Sequence, residues 1–274
     1  MRSNILLLMC LFCAQQSVAQ SISTLMGARQ AGMANTSATH SDEWSLFNNI
    51  AGLASLKNKS VGFAYEAVPS LLGANRMAVA VTTNQRWGNI GFGVFRFGDD
   101  IYSEQLISAG FANQIGVTSL GIKVNYVQYR ADGFGTSNTV TLDFGGITQL
   151  TPQINIGAYV NNLTQSALRN RDGDRLPTQL VLGVGVKPSE KIFITTELQK
   201  DIDYKPTWRT GLEYSIYKSV FVRTGFNFNP QAAFFGLGFH KKNLKVDYAI
   251  RFNQLAGTTH QASAIYLIPA KEKK

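Results

Sequence analysis

The chain has few cysteines, few charges and no long apolar run beyond its N-terminus. Its two cysteines among 274 residues, Cys10 and Cys13, lie close to the start of the chain. A disulfide framework, a thiol nucleophile and a cysteine metal site are therefore excluded from the residues that follow them. Charged residues make up 16% of the sequence, and no later apolar run approaches the roughly 20 residues that a spanning helix needs.

Catalytic constellations are also missing. The chain has three histidines, His40, His240 and His260, and no serine in a Gly-x-Ser-x-Gly elbow. Because Ser-His-carboxylate catalysis needs all three groups in one site, we predict solvated or interfacial histidines and no enzymatic activity. Residues 170–175 (NRDGDR) have fewer oxygen ligands than a calcium loop needs. We therefore predict a solvated turn there, and no metal or cofactor.

The first 19 residues are typical of a secretory signal peptide. Arg2 supplies the positive charge, residues 5–12 the apolar core and residues 17–19 (SVA) the small-x-small cleavage site. We predict that the mature chain begins at Gln20. An uncleaved anchor helix is the alternative, which the short apolar stretch disfavours.

Apolar and polar residues alternate along much of the chain. In residues 244–253 (LKVDYAIRFN) the even positions are apolar and most odd positions are polar or charged. Successive side chains of a strand point to opposite faces, so this segment has one apolar and one polar face. Soluble sandwiches share this pattern, but here it recurs in segments of about ten residues after an export signal. The sequence therefore predicts an all-β fold, a transmembrane antiparallel β-barrel of about 14 strands.

The predicted barrel occupies residues 58–268. Residues 20–57 have irregular apolar spacing broken by glycines, which indicates a short helical N-terminal plug or periplasmic segment, and residues 269–274 form a tail. An even strand number is what bacterial barrels require. The predicted strands are 59–66, 76–83, 88–97, 102–113, 117–130, 138–150, 153–163, 178–187, 191–199, 207–215, 219–229, 232–240, 244–253 and 259–267.

Connections of two kinds alternate between these strands. If the first strand runs outward, the predicted periplasmic links are short turns, such as residues 151–152 and 216–218. Most links on the opposite side are longer and more polar, such as residues 67–75 and 164–177. Short turns at one end and longer loops at the other are typical of outer-membrane barrels.

Charged residues of the strands fall on one face. Placing Lys or Arg against lipid at the midplane costs about 2–4 kcal/mol, so we predict that this face lines the lumen. Phe193, Phe221 and Phe234 share it, where they line an apolar passage or pack against the plug. In residues 88–97, turning Arg96 inward would bring Phe92 with it, so the facing stays open. The predicted lumen residues are Lys123, Asp143, Glu197, Arg209, Glu213, Arg223, Lys245, Asp247 and Arg251.

Four of these charges lie on nearby strands. We predict that Glu213, Arg223, Asp247 and Arg251 form a hydrogen-bonded ladder that braces the barrel wall. The alternative is a polar lining that selects solutes.

The N-terminal segment contains short motifs, among them residues 27–29 (GAR), 42–44 (DEW) and 49–54 (NIAGLA). It resembles the start of the FadL-like outer-membrane barrels, especially the PorV/PorQ branch of Bacteroidota. In that branch the last motif reads Asn-Pro-Ala-Gly-Leu-Ala, and Ile50 stands here in place of Pro. Short segments near the C-terminus, such as residues 259–263 (THQAS), are also similar, although the PorP/SprF family shares part of this ending. The plug residues that carry the resemblance are Gly27, Arg29, Gly32, Asp42, Trp44, Asn49 and Gly52.

The resemblance implies a fourteen-stranded barrel with an N-terminal plug. FadL members move hydrophobic small molecules through a lateral opening, whereas PorV-like members serve type IX secretion. We therefore expect either a passage for small solutes, hydrophobic ones among them, or a docking component in type IX protein export. A passage predicts a continuous tunnel or a wall gap beside a kinked strand. Docking predicts a sealed lumen with partner contacts in the loops and the plug.

Two further alternatives are a purely structural outer-membrane barrel and a secreted soluble β protein. We expect the outer membrane of a Gram-negative bacterium as the location, with lipid and lipopolysaccharide as partners. Secretion-system proteins or a hydrophobic small molecule are the other expected partners. The formal net charge is +9, but the Lys and Arg residues are scattered singly, so we predict no nucleic-acid binding.

Overall fold

The computed structural model describes residues 23–168, 175–202, 204–253 and 257–269. The predicted signal peptide, residues 170–174 of the NRDGDR turn and residues 270–274 of the predicted tail lie outside the described residues. No helix in the described ranges is long and apolar enough to cross a membrane.

Fourteen antiparallel strands form one closed barrel, so the predicted fold class is confirmed. Each strand pairs with its neighbours in sequence, and the first pairs with the last from Lys59↔Ile268 to Ala67↔His260. Closure gives every strand a neighbouring strand on both sides. The strands are β1 (Lys59–Ala67), β2 (Arg76–Gln85), β3 (Gly88–Gly98), β4 (Tyr102–Ile115), β5 (Thr118–Ala131), β6 (Gly135–Gln149), β7 (Ile154–Asn161), β8 (Gln179–Ser189), β9 (Ile192–Asp201), β10 (Thr207–Tyr217), β11 (Val220–Phe228), β12 (Ala232–Lys241), β13 (Leu244–Asn253) and β14 (Gly257–Ile268).

The two ends of the barrel differ. At one end, here called the turn end, the connections between strands have two to four residues. At the other, the loop end, they run from three residues to the seventeen of residues 162–178. Here β5 and β6 extend further than predicted, so their loop shrinks to residues 132–134.

The outer face of the wall is apolar. Tyr248 and Phe252 of β13 are exposed, whereas Asp247 and Ala249 on its other face are buried. Exposed charges of the outer face, such as Arg96, Arg130 and Lys200, lie near strand ends at the loop end. The wall therefore has an apolar band outside and a largely polar surface inside.

Residues 88–98 settle the facing that the sequence left open. Arg96 faces outward with Phe92, and Phe95 takes the buried inner position at 1% exposure. The inner positions nearer the turn end are Gly91 and Gly93, where an added Cβ would lie 2.8 Å from Leu53 and 2.7 Å from Leu46. Turning Arg96 inward is wrong because the plug leaves no room there for the side chains that would turn with it.

Residues 23–57 form a plug inside the barrel. It contains α1 (Ala28–Ala31) and two 3-10 helices, Glu43–Leu46 and Ile50–Ser55. At the loop end Arg76 Nη1 donates to the Ser23 carbonyl at 2.7 Å, and at the turn end Asn84 Nδ2 donates to the Leu56 carbonyl at 2.9 Å. The plug therefore crosses the lumen from the loop end to the turn end before β1 begins.

The core of the molecule lies between plug and wall. The plug contributes Trp44, Leu46, Phe47, Ile50 and Leu53, each at most 1% exposed. The wall contributes small residues such as alanines of β1 and β2 together with larger ones of β3 to β5. At some wall glycines the plug backbone packs directly against the wall backbone. A Cβ at Gly157, for example, would lie 1.9 Å from the Ala38 carbonyl oxygen.

Candidate functional site

A chain of ion pairs joins the plug to the wall. Arg29 of α1 donates two hydrogen bonds to Glu213, at 2.7 and 2.9 Å, and contacts Asp42 of the plug at 3.3 Å. Arg223 lies between Glu213 at 2.6 Å and Asp247 at 2.7 Å. The predicted ladder on the wall therefore extends into the plug through Arg29.

Arg251 is not part of this chain of ion pairs, so the predicted four-membered ladder is wrong in that member. Its Nη2 donates to Thr259 Oγ1 at 2.9 Å, and its buried Nε has no partner in the part of the chain that the structure describes. Arg251 lies four residues from Asp247 along β13, which at about 3.3 Å per residue places it some 13 Å nearer the loop end. His240 approaches Asp247 instead, at 3.1 Å.

The other predicted lumen residues also occupy inward positions. Lys123 pairs with Asp143 at 2.9 Å, and Arg209 approaches Glu197 at 3.5 Å. Lys245 pairs with Glu43 of the plug at 2.8 Å.

Sequence reasoning missed one inward ion pair. Glu66 of β1 and Arg76 of β2 face each other across the strand register and pair with each other. The alternation of residues 59–66 places Glu66 on the same face as Ser60 and Ala64. This inward position is the signal that could have revealed the pair.

The motif residues of the plug shape its backbone. Asp42 caps the first 3-10 helix by accepting from Trp44 N at 3.0 Å, and Asn49 caps the second by accepting from Ala51 N at 3.2 Å. Gly27 packs on the Trp44 ring, Gly32 on Gly236 of β12, and Gly52 beneath the His40 carbonyl. Ile50, in place of the family proline, begins the second 3-10 helix.

The three inward phenylalanines pack against other groups. Phe193 meets His40 of the plug with ring centroids 5.2 Å apart, and Phe234 clusters with Ala34 of the plug. Phe221 lies 4.5 Å from the His240 ring. These contacts match the packing alternative rather than an apolar passage.

His40 is a buried polar side chain in the plug. It is 2% exposed, so the predicted solvated or interfacial position is wrong for His40. Neither ring nitrogen has a hydrogen-bond partner among the described residues. Burial lowers the pKa of His40 well below its ordinary value, and the positive charge of Arg29 lowers it further. The imidazole is therefore neutral at physiological pH.

A cavity of about 80 Å³ lies at the loop end, above the plug. It is bounded by the start of the described plug, the inner faces of β3 to β8 and the end of the loop that precedes β8. Its apolar lining is Leu25, Phe95, Leu106, Val127, Leu176 and Pro177, and its polar lining includes Glu104, Asn125, Thr141, Asp143, Asn161 and Gln179.

The wall beside the cavity is irregular where β7 ends early. The pairing of β6 with β7 stops at Phe144↔Val160, and the loop continues it through Leu163 N, which donates to the Leu142 carbonyl at 2.7 Å. In contrast, β3 pairs with both neighbours along nearly its whole length, so the described wall has no gap beside it. Below the cavity, the described plug residues fill the lumen.

The barrel is similar in fold to hydrocarbon channels. No protein-family model matches the sequence, and no curated protein sequence matches it significantly. Among solved structures, the CymD monoaromatic hydrocarbon channel has a TM-score of 0.68 at 14% identity and covers 92% of this chain and 100% of its own. The Ralstonia pickettii toluene transporter TbuX has a TM-score of 0.67 at 13% identity, covering 89% and 97%.

A Pseudomonas aeruginosa FadL homologue is also similar, with a TM-score of 0.62 at 12% identity, covering 91% of this chain and 98% of its own. Similarity at this level of identity establishes the shared barrel fold. The finer resemblance to the PorV/PorQ branch stays a prediction.

Proposed function

We propose that the chain is a non-enzymatic outer-membrane barrel through which small hydrophobic solutes pass. The observation that carries the proposal is the similarity of fold, across about nine-tenths of the chain, to structures described as a monoaromatic hydrocarbon channel and a toluene transporter. A partly apolar cavity at the loop end gives such a solute a first place to bind.

The outer surface supports a location in the membrane. Phe92 of β3 is 55% exposed and Leu237 of β12 is 59% exposed on the outer face of the wall. Soluble monomers rarely expose continuous apolar surface on this scale, so a secreted soluble β protein fits the wall poorly. The net charge of +9 suits the anionic lipopolysaccharide of a Gram-negative outer leaflet.

Passage through the lumen requires movement of the plug. The cavity lies above tightly packed plug residues such as Leu46 and Phe47, which are at most 1% exposed. A solute that binds in the cavity therefore reaches the turn end only when part of the plug shifts. Ion pairs to Arg29 and Glu43 set the cost of that shift.

Docking in type IX export is the second candidate, because a filled lumen is what that hypothesis predicts. The similar structures named above give no support to a role in type IX export. A test of solute passage separates the two hypotheses, since a docking component needs no flux.

Uptake into vesicles with a lipopolysaccharide outer leaflet tests the proposal. Lipopolysaccharide slows the entry of hydrophobic solutes, so a protein-dependent rate stands out against it. We expect radiolabelled toluene to enter vesicles that contain the protein faster than protein-free vesicles. Sucrose should stay out, because the filled lumen has no open aqueous channel. Equal toluene rates with and without protein would rule out the passage.

A further inference from the structure

The cavity at the loop end has a chemistry that a pure hydrocarbon does not need. One side is apolar, with Phe95, Leu106 and Val127, and the other has amide, hydroxyl and carboxylate groups. A hydrocarbon that displaces water from such a surface leaves polar groups without hydrogen bonds, which costs free energy. A solute with its own polar group avoids this cost.

Part of the polar side is already saturated. Asp143 accepts from Lys123 at 2.9 Å, from Asn125 Nδ2 at 3.0 Å and from the Asn162 backbone N–H at 2.8 Å. Asn125 in turn accepts from Ser108 at 2.7 Å. These groups form a fixed network and have little capacity left for a ligand.

Another part has free hydrogen-bonding capacity. Asn161 and Gln179 are direct partners in the β7–β8 register, so their carboxamides stand side by side at the loop end. Both side chains line the cavity, and neither hydrogen-bonds to another residue in the part of the chain that the structure describes. Each carboxamide offers one acceptor oxygen and two donor N–H groups.

We infer that the cavity selects small uncharged solutes with a hydroxyl group, of which phenol is the simplest aromatic example, over hydrocarbons of the same shape. This inference rests on the proposed function. The carboxamides of Asn161 and Gln179 bond the hydroxyl group, and the ring packs on Leu106 and Val127. An apolar cavity of roughly 150 Å³ takes benzene, so a ring fits the cavity of about 80 Å³ only when a lining leucine such as Leu25 moves aside.

Charge excludes acidic solutes from the same cavity. The carboxylates of Glu104 and Asp143 both line it. Asp143 pairs with Lys123 at 2.9 Å, and Glu104 accepts from the Tyr102 hydroxyl at 2.9 Å. A carboxylate ligand such as benzoate would lose its hydration on entering the cavity, which costs far more free energy than the dehydration of an uncharged solute.

The test compares toluene, phenol and benzoate in vesicles with a lipopolysaccharide outer leaflet. Toluene and phenol have nearly the same shape and differ by a methyl group in place of a hydroxyl group. We expect the concentration that half-saturates protein-dependent flux to be about tenfold lower for phenol than for toluene, as one to two hydrogen bonds predict. Benzoate should show no protein-dependent flux.

The double variant Asn161→Leu, Gln179→Met tests the two carboxamides. We expect it to raise the half-saturating concentration of phenol about tenfold. It should lower that of toluene, because a hydrocarbon then no longer leaves these two carboxamides without hydrogen bonds. Retained toluene flux shows that the variant folds. Gln149→Met is the matched control, because Gln149 lies on the inner face at the opposite end of the barrel. This control should change the half-saturating concentration of neither phenol nor toluene.

The outcomes separate the inference from the proposed function. If neither toluene nor phenol enters faster than in protein-free vesicles, the proposed passage fails. If both pass with equal half-saturating concentrations, or if the double variant leaves their ratio unchanged, the passage stands and the preference for hydroxyl groups is overturned.

Discussion

Arg223 lies fully buried between two carboxylates, with its side chain 0% exposed. It joins Glu213, which holds Arg29 of the plug, to Asp247 of β13. A buried charge that loses its partner costs far more than the intact pair contributes. The contact between Arg29 and the wall is therefore stabilised by this guanidinium group.

Replacing Arg223 with methionine tests this dependence. Methionine keeps the apolar stem of the side chain but removes the positive charge. The buried carboxylates of Glu213 and Asp247 therefore lose this partner. We expect the free energy of unfolding to fall by about 3–5 kcal/mol, measured by urea titration of the reconstituted barrel with tryptophan fluorescence. Arg251→Met is the matched control, since Arg251 faces inward and forms no ion pair with any residue that the structure describes, and should cost much less. Equal losses would show that the chain of ion pairs is not the cause.

His40 makes the stability of the plug dependent on pH. Its pKa in the folded protein lies below its ordinary value of 6.5, so the unfolded chain binds a proton more readily. The stability that the neutral imidazole allows is present above pH 6.5 and is lost as pH falls through the folded pKa. We expect the wild type to lose stability between about pH 7 and about pH 5, and His40→Phe to lose less.

The same urea titration, repeated across this pH range, measures the effect. His260→Phe is the control, because His260 lies on the outer face and hydrogen-bonds to Tyr248. It should keep the acid-dependent loss of the wild type. A His40→Phe variant with an unchanged pH profile would contradict the assignment to His40.

At the scale of elements, the plug is held against many strands at once. Glu197 of β9 accepts from the backbone N–H groups of Ser37 and Ala38 at 2.8 and 3.0 Å, while Asn49 donates to the Gly146 carbonyl of β6 at 3.2 Å. Because these contacts come from different sides of the wall, a solute path through the lumen requires several of them to break.

A disulfide between plug and wall tests whether the plug must move. Thr39 Oγ1 of the plug lies 3.4 Å from Thr195 Oγ1 of β9, so two cysteines at these positions have adjacent γ atoms. A disulfide needs its sulfurs about 2.05 Å apart, which a small adjustment provides. We expect oxidised Thr39→Cys, Thr195→Cys protein to lose toluene uptake and to regain it after reduction.

The matched control places a disulfide within the wall. Ser60 of β1 and Thr82 of β2 have hydroxyl oxygens 2.6 Å apart, so Ser60→Cys, Thr82→Cys bridges two strands and leaves the plug free. Its uptake should not change on oxidation. If protein with the plug–wall disulfide takes up toluene as fast as the same protein after reduction, the solute takes a path around the plug.

At the scale of the whole molecule, much of the barrel can be predicted from the sequence. One face of each strand lies on the apolar outside of the wall and the other on its largely polar inside. Apolar and polar residues therefore alternate along the sequence with a period of two. Side-chain contacts between distant segments cannot be predicted this way. Arg29 and Glu213 are 184 residues apart, and no local pattern pairs them.

The candidate site depends on register, which alternation does not determine. Alternation places Glu213 and Arg223 on the inner face, but only the pairing of β10 with β11 sets them opposite each other. The neighbouring carboxamides of Asn161 and Gln179 likewise follow from the β7–β8 register across a connection of seventeen residues. The plug has no period at all, so its route across the lumen could not be predicted from its motifs.

The pairing of β1 with β14 has a consequence for biogenesis. The plug is synthesised before any strand, whereas the circle of hydrogen bonds is complete only after the last strand is made. Had the circle formed first, residues such as Asp42 and Glu43 would have to shed their hydration and thread into a finished enclosure. We therefore expect the strands to assemble around the N-terminal segment, which the final pairing of β14 with β1 then encloses.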